Sequence, residues 1–88
     1  MGHQDTPDPP SPIDRGVPQT PSEQITAVIL GRIRAGTYPP GSRLPSNGTL
    51  AQEFAVAPRT VRKALAPLAS QGLIVTRPGW GTFIAGQD

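Results

Sequence analysis

Four polar residues that lie close together in the chain have side chains suited to binding nucleic acid: Arg59, Thr60, Arg62 and Lys63. Arginine can donate two hydrogen bonds to guanine, threonine can bond a phosphate or contact a thymine methyl group, and lysine supplies a point charge for the backbone. Such a cluster alone is more often a solvated face. Its meaning therefore depends on the element that carries it.

Residues suited to catalysis or metal binding are sparse. The single histidine is His3, and residues 23–86 contain two carboxylates that are thirty positions apart, Glu23 and Glu53. No acid–base pair or metal cluster is evident, and without cysteine the chain can form neither a disulfide nor a thiolate site. The sequence predicts a protein that is not an enzyme and that needs no cofactor or metal.

The charge of the 88-residue chain is unevenly distributed. The formal net charge is +2, but residues 1–22 carry a local charge of −2 and residues 23–86 one of +5. A basic region of this kind favours a polyanionic partner. No purely apolar run exceeds four residues, as in Ala27 to Leu30, whereas a bilayer span needs roughly 20. We expect a cytoplasmic, nucleoid-associated protein with no membrane partner.

The chain divides into a tail and one small domain. Six of the twelve prolines fall within residues 1–21, where Met1, Ile13 and Val17 are the only larger apolar residues. This composition predicts a disordered tail, which is either a linker without a role or an acidic arm that modulates the basic domain. Residues 22–88 are expected to form the folded domain.

The first helix is predicted to begin after Thr20, because this threonine, Pro21 and Glu23 form a capping box. Gly36 supplies a stop, so the helix should end near residue 35. Arg32 and Arg34 near its end fit either the helix dipole or a phosphate contact. Apolar residues at three- and four-residue spacing give its buried stripe: Ile25, Val28, Ile29 and Ile33.

Two further helices with a short link are typical of a helix-turn-helix motif. After turn residues 38–41 and an extended piece at 43–44, Ser46 is the expected N-cap of the second helix. Pro58 is the expected first residue of the third, and Pro67 inside it predicts a kink or early fraying. The basic cluster then lies at the start of a recognition helix. The apolar stripe opposite is Val61, Leu65 and Leu68.

Two β-prone runs, 73–77 and 82–85, surround a proline-glycine turn and predict a terminal hairpin. Trp80 in the turn either folds back on the core or rests against the sugar-phosphate backbone or minor groove. Gly79 and Gly81 resemble a fragment of a phosphate-binding loop, but no helix follows. Shaping of the turn is therefore the better interpretation of these glycines.

Six blocks occur in order along the chain: Gly36-x-Tyr38-Pro39-x-Gly41, Leu44-Pro45-Ser46, Leu50-Ala51, Thr60-Val61-Arg62-x-Ala64-Leu65, Gly72-Leu73-Ile74 and Gly79-x-Gly81-Thr82-Phe83. Together they resemble the winged-helix domain of GntR-family transcriptional regulators, over about residues 25–86. The resemblance implies a mostly α fold with a small β-hairpin, a winged helix-turn-helix of three helices plus a C-terminal wing. It also implies a regulator, more often a repressor than an activator, that binds operator DNA as a dimer. The third helix would enter the major groove, with the wing near the minor groove.

The predicted DNA-binding residues come from two sources. The resemblance, carried over by position, implies DNA contacts at Ser46, Thr60, Arg62 and Gly79. The residue types themselves add the other positively charged or stacking side chains of the third helix and the hairpin. The complete set is Ser46, Arg59, Thr60, Arg62, Lys63, Arg77, Gly79 and Trp80.

The chain departs from the family pattern at two places. Asn47 and Gly48 stand where the family usually has acidic and basic residues, so a common base-reading arginine is absent. Ala55, Ala57 and Pro58 replace the usual glycine, serine and arginine. Ala55 is expected to cost about 1 to 2 kcal/mol if its turn needs a left-handed conformation. The preferred operator should therefore differ from the family's usual one.

The effector domain that usually follows the wing in this family has no counterpart before Asp88. We expect either an excised DNA-binding domain or, as Met1 favours, a stand-alone regulator. The leading hypothesis is a sequence-specific transcriptional regulator of double-stranded operator DNA, with a possible homodimer on an inverted repeat. The alternative is a winged-helix module in which the third helix and the wing with Trp80 bind an acidic or apolar protein surface.

Overall fold

The computed structural model describes residues 13–86, which form three helices followed by a two-stranded antiparallel sheet. Residues 1–12 and 87–88 lie outside the described residues, and with them most of the predicted tail. The observed order confirms the predicted winged helix-turn-helix. The elements are α1 (Pro21–Ala35), α2 (Asn47–Phe54), α3 (Pro58–Ser70), β1 (Ile74–Arg77) and β2 (Gly81–Ile84).

Helix α1 begins and ends at the predicted caps. The hydroxyl of Thr20 accepts a hydrogen bond from the Glu23 amide at 3.2 Å, and the Glu23 carboxylate accepts one from the Thr20 amide at 2.9 Å. Gly36 ends the helix with φ 82°, the left-handed conformation that glycine adopts without steric cost. Along the stripe, Ile25 and Ile29 are fully buried, so this face of α1 is held by core packing.

Helix α2 has a strong start and a strained end. The Ser46 hydroxyl accepts a hydrogen bond from the Thr49 amide at 3.1 Å, as expected of an N-cap. At the other end, Ala55 adopts φ 58° and ψ 46°, and it is the only non-glycine residue within 13–86 with positive φ. The left-handed turn that the sequence anticipated is therefore present, and it carries the steric cost of a Cβ.

Helix α3 starts at Pro58 without a side-chain cap and continues through Pro67 to Ser70. The predicted early fraying is therefore wrong. The reason is tertiary: Leu68, one residue beyond the proline, is fully buried, while Pro67 itself lies on the exposed side. Core packing thus holds the last turn even though Pro67 cannot donate a backbone hydrogen bond.

The wing is a hairpin with a third segment beside it. Ile74 pairs with Ile84 and Arg77 with Gly81, and the turn is closed by a 2.9 Å hydrogen bond from the Trp80 amide to the Arg77 carbonyl. The predicted extended piece lies along β2, where the Leu44 amide donates to the Thr82 carbonyl at 2.8 Å. This pairing ties the wing to the entrance of α2.

One apolar core joins the three helices and the wing. Arg32 closes its edge between α1 and α2: it pairs with Glu53 and donates to the Tyr38 hydroxyl at 2.7 Å. Its guanidinium carbon lies 5.5 Å from the centre of the Phe54 ring. The Arg32 guanidinium donates to the Glu53 carboxylate, and these hydrogen bonds are the main cause that raises the pKa of Arg32, whereas burial acts to lower it. The largest fully buried side chains are Ile25, Ile29, Leu44, Leu50, Phe54, Val61 and Leu68.

The segment before α1 packs against the domain. Ile13 is only 5% exposed and belongs to the core. The Gln24 side chain accepts from the Asp14 amide at 2.7 Å and donates to the carbonyls of Asp14 and Gln19 at 2.6 and 2.9 Å. Residues 13–20 thus differ from the disordered tail that composition predicted for them, because one buried isoleucine and one amide side chain hold them on α1.

Candidate nucleic-acid interface

Helix α3 presents the predicted basic cluster on its outer side. Arg59, Arg62 and Lys63 are exposed and Thr60 is half-buried, opposite the buried stripe of the same helix. Arg59 lies one helical turn before Arg62 and Lys63, so the three cations share a surface. None of the three has a hydrogen-bond or salt-bridge partner among residues 13–86. Their donors are available to an external ligand.

The wing extends the surface away from α3. Arg77 and Gly79 are exposed at the turn, where Gly79 has φ 81°. Trp80 is 71% exposed, so its ring does not fold back on the core, and its contact with the sugar-phosphate backbone or minor groove stays a prediction. Val75, 42% exposed, and Trp80 line an open recess on the outer face of the hairpin.

A groove joins the two parts of the surface. Arg62 on α3 and Thr76 and Thr82 on the wing line this groove, whose volume is about 350 Å³. Asn47, from the first turn of α2, lines it as well. The fold therefore brings side chains from three elements into one concave surface, beside a helix of the width that the major groove admits.

Ser46 has a structural role in the free protein. Its hydroxyl accepts from the Thr49 amide at 3.1 Å and donates to the Thr49 hydroxyl at 2.9 Å. The residue remains exposed at the start of α2. Capping α2 therefore accounts for both hydrogen bonds of this side chain, and a DNA contact from Ser46 stays a prediction.

Arg43 is a basic residue of this region that the sequence did not single out. Its guanidinium lies against the backbone of Gly81, where a Cβ atom would come within 2.8 Å of Nε. Arg43, Ser46, Gly48 and Thr82 line a recess of about 380 Å³ between the wing and α2. The only signal in the sequence was Gly81, whose missing side chain leaves room for the arginine.

The carboxylates of the described residues are engaged elsewhere. Glu53 pairs with Arg32, Glu23 forms the capping box, and the Asp14 carboxylate accepts from the Gly16 amide at 2.8 Å. None of them lines the groove beside α3 or the recess beside the wing. The cations of α3 and the wing therefore form an uncompensated basic surface, which favours a polyanionic ligand.

Residues 13–86 support neither a metal site nor a membrane-spanning helix. This part of the chain contains no group of three or more histidine, aspartate or glutamate residues that could hold a metal ion. Its helices include none with the length and hydropathy that crossing a bilayer requires.

Comparison with known sequences gives consistent matches. The gntR family of bacterial regulatory proteins matches residues 21–84. A transcriptional regulator of the helix-turn-helix type from Mycobacterium tuberculosis, Rv1152, is 39% identical over 66 residues, which are 75% of this chain and 54% of the relative. The histidine utilization repressor of Pseudomonas aeruginosa is 35% identical over 69 residues, 78% of this chain and 28% of the relative. The chain thus spans between a quarter and about half the length of these curated relatives.

Solved structures share the fold. The DNA-binding domain of AraR in complex with operator ORE1 superposes with a TM-score of 0.75 at 33% identity, covering 86% of this chain and 93% of that one. A GntR family transcriptional regulator from Listeria monocytogenes gives a TM-score of 0.79 at 31% identity, covering 85% of this chain and 64% of that one.

Proposed function

The chain belongs to the gntR family of bacterial regulatory proteins, and from this premise we propose that it is a sequence-specific, double-stranded DNA-binding transcriptional regulator. The observation that carries the proposal is the basic surface of α3 and the wing, whose cations have no partners within residues 13–86. The similarity to an AraR domain bound to its operator supports the same ligand. Helix α3 enters the major groove, and the wing contacts the flanking backbone or minor groove.

The predicted residues divide between base contacts and backbone contacts. Arg59 and Arg62 on the exposed side of α3 donate to base edges, with guanine as the best partner for a bidentate arginine. Thr60 and Lys63 bind phosphate oxygens beside them. At the other end of the surface, Arg77, Gly79 and Trp80 contact the sugar-phosphate backbone, and Ser46 does so from the start of α2.

The regulator acts as a repressor and has no enzymatic activity. The first of these proposals is supported by the similarity to histidine utilization repressors. The second is supported by the regulatory role of the relatives. We further propose binding as a homodimer on an inverted repeat, since dimeric helix-turn-helix proteins contact two half-sites about one helical turn apart.

Selection from a pool of random DNA duplexes at about 150 mM salt tests the function directly. We expect enrichment of an inverted repeat, and Arg59→Ala should lose the preference at one base pair in each half. Enrichment of a single half-site would overturn the dimer while preserving the regulator. Recovery without enrichment would overturn sequence specificity, and no recovery at all would overturn DNA binding.

A protein-interaction module is the second candidate, favoured by the exposed apolar side chains of Val75 and Trp80 on the wing. The same pool selection discriminates between the two functions. If Trp80→Ala weakens DNA binding, the ring contacts DNA. A protein that recovers no DNA, with or without Trp80, would favour the protein-interaction module.

A further inference from the structure

The segment before α1 is held in a defined position, although composition alone predicted disorder. Ile13 is buried in the core, and the Gln24 side chain makes three hydrogen bonds to the backbone of Asp14 and Gln19. These contacts fix the chain on both sides of Arg15. We call residues 13–20 the N-terminal brace. The brace lies outside residues 21–84, which the family match covers.

The brace carries Arg15 to the start of α3. Arg15, Thr60 and Lys63 line one open cleft of about 500 Å³, which is closed on its other sides by the first residues of α1 and by residues 55–57. Arg15 and Lys63 are 48 positions apart in the sequence, so only the fold brings them to the same cleft. Both side chains are exposed, and neither has a partner among residues 13–86.

The cleft has the charge of an anion-binding site. No carboxylate lines it, because Asp14 and Glu23 accept hydrogen bonds from nearby backbone amides instead. Two cations in one cleft repel each other in the free protein, and an anion between them relieves that repulsion. The first backbone amides of α1 contribute little to anion binding in this cleft, because the Thr20 hydroxyl already caps that helix.

We propose that Arg15 and Lys63 together bind one phosphate of the DNA backbone, next to the bases that α3 contacts. The inference rests on the proposed DNA-binding function and extends its interface to the brace. Arg15 is then a binding residue without base preference, since a phosphate carries no sequence information. Gln24 acts on DNA binding only as a positioning residue, through the brace.

The test compares Arg15→Ala with Arg34→Ala, in the full chain, on the enriched duplex and on a random duplex. Arg34 is the matched control because it is an exposed arginine in the last turn of α1, where it suits the helix dipole, and it does not line the cleft. We expect Arg15→Ala to weaken binding to both duplexes by the same factor, roughly three- to tenfold. The log-log salt slope should fall in magnitude by about 1, and Arg34→Ala should leave both quantities unchanged.

Four further measurements separate this contact from other effects. Arg15→Lys should restore the salt slope, and the double variant Arg15→Ala with Lys63→Ala should lose less than the product of the two single losses, because both side chains bind one phosphate. Gln24→Ala, which releases the brace but keeps every charge, should weaken binding as well. Saturation of the cleft by inorganic phosphate alone would overturn the assignment to DNA.

Equal affinities and slopes for Arg15→Ala and Arg34→Ala would overturn the inference, provided that the wild-type chain binds DNA. A wild-type chain that recovers no duplex would overturn the proposed function, and this inference with it. The two failures are therefore distinguishable.

Discussion

Arg59 and Lys63 lie one helical turn apart on the exposed side of α3, yet we expect them to contribute differently to DNA binding. Arg59→Ala should cost roughly 1 to 3 kcal/mol on the preferred duplex and relax the preference at one base pair, because a bidentate contact to guanine is lost. Lys63→Ala should weaken all sequences alike. Dissociation constants of both variants on the cognate and on a random duplex check these two predictions. Equal losses of affinity for Arg59→Ala on the two duplexes would refute its base contact.

Ala55 is a second residue whose effect is local. Its φ of 58° places a Cβ atom in the left-handed region, so Ala55→Gly should raise the free energy of unfolding by about 1 kcal/mol. The control is Ala27→Gly at an exposed position inside α1, which should lower it by about 1 kcal/mol. Urea denaturation measures both, and destabilisation by both variants would contradict the strain at Ala55.

At the scale of elements, α3, the proposed recognition helix, contains a proline. Pro67 has no amide hydrogen to donate to the Lys63 carbonyl, so Pro67→Ala should raise the free energy of unfolding by about 2 kcal/mol. Pro58→Ala, at the first position of the same helix, should change it little, because an amide there has no helical acceptor. Thermal unfolding compares the two variants. An equal effect of both would contradict the view that Pro67, unlike Pro58, costs α3 a backbone hydrogen bond.

The wing depends on a close approach between Gly81 and Arg43. A Cβ atom at Gly81 would come within 2.8 Å of Arg43 Nε, and its φ of 117° disfavours any side chain. We expect Gly81→Ala to lower the free energy of unfolding by about 1 to 2 kcal/mol and to displace Arg43. Gly31→Ala, where nothing lies within 4 Å of the added Cβ, should stabilise α1 by about 1 kcal/mol. Urea denaturation measures the free energy of unfolding of both variants. A gain of stability in Gly81→Ala would contradict the close approach between Gly81 and Arg43.

On the scale of the whole molecule, the charge distribution determines how DNA binding responds to salt. Residues 23–86 carry seven basic residues and two acidic ones, and both acidic side chains are engaged in the fold. Neutralising about four to six phosphates should give a log-log salt slope of roughly −4 to −5. Affinity measured between about 50 and 200 mM salt checks the slope, and a value near −1 would count against docking through α3 and the wing.

Local signals in the sequence determined most of the elements. The capping box at Thr20, the serine cap at Ser46 and the proline at position 58 act through atoms within a few residues, so the three helix starts were predictable. The same holds for the hairpin, because Pro78 and Gly79 specify its turn. The exposed cations of α3 follow from helical periodicity, since the positions opposite Val61 and Leu68 must face outward.

Tertiary structure alone decided the features that depend on contacts between distant residues. The pairing of Arg32 with Glu53, the addition of residues 41–44 to β2 and the continuation of α3 beyond Pro67 all need partners far away in the chain. The burial of Ile13 is of the same kind, as is the placement of Arg15 and Lys63 in one cleft. Composition and periodicity describe each segment by itself, whereas these positions follow from which segments share one core.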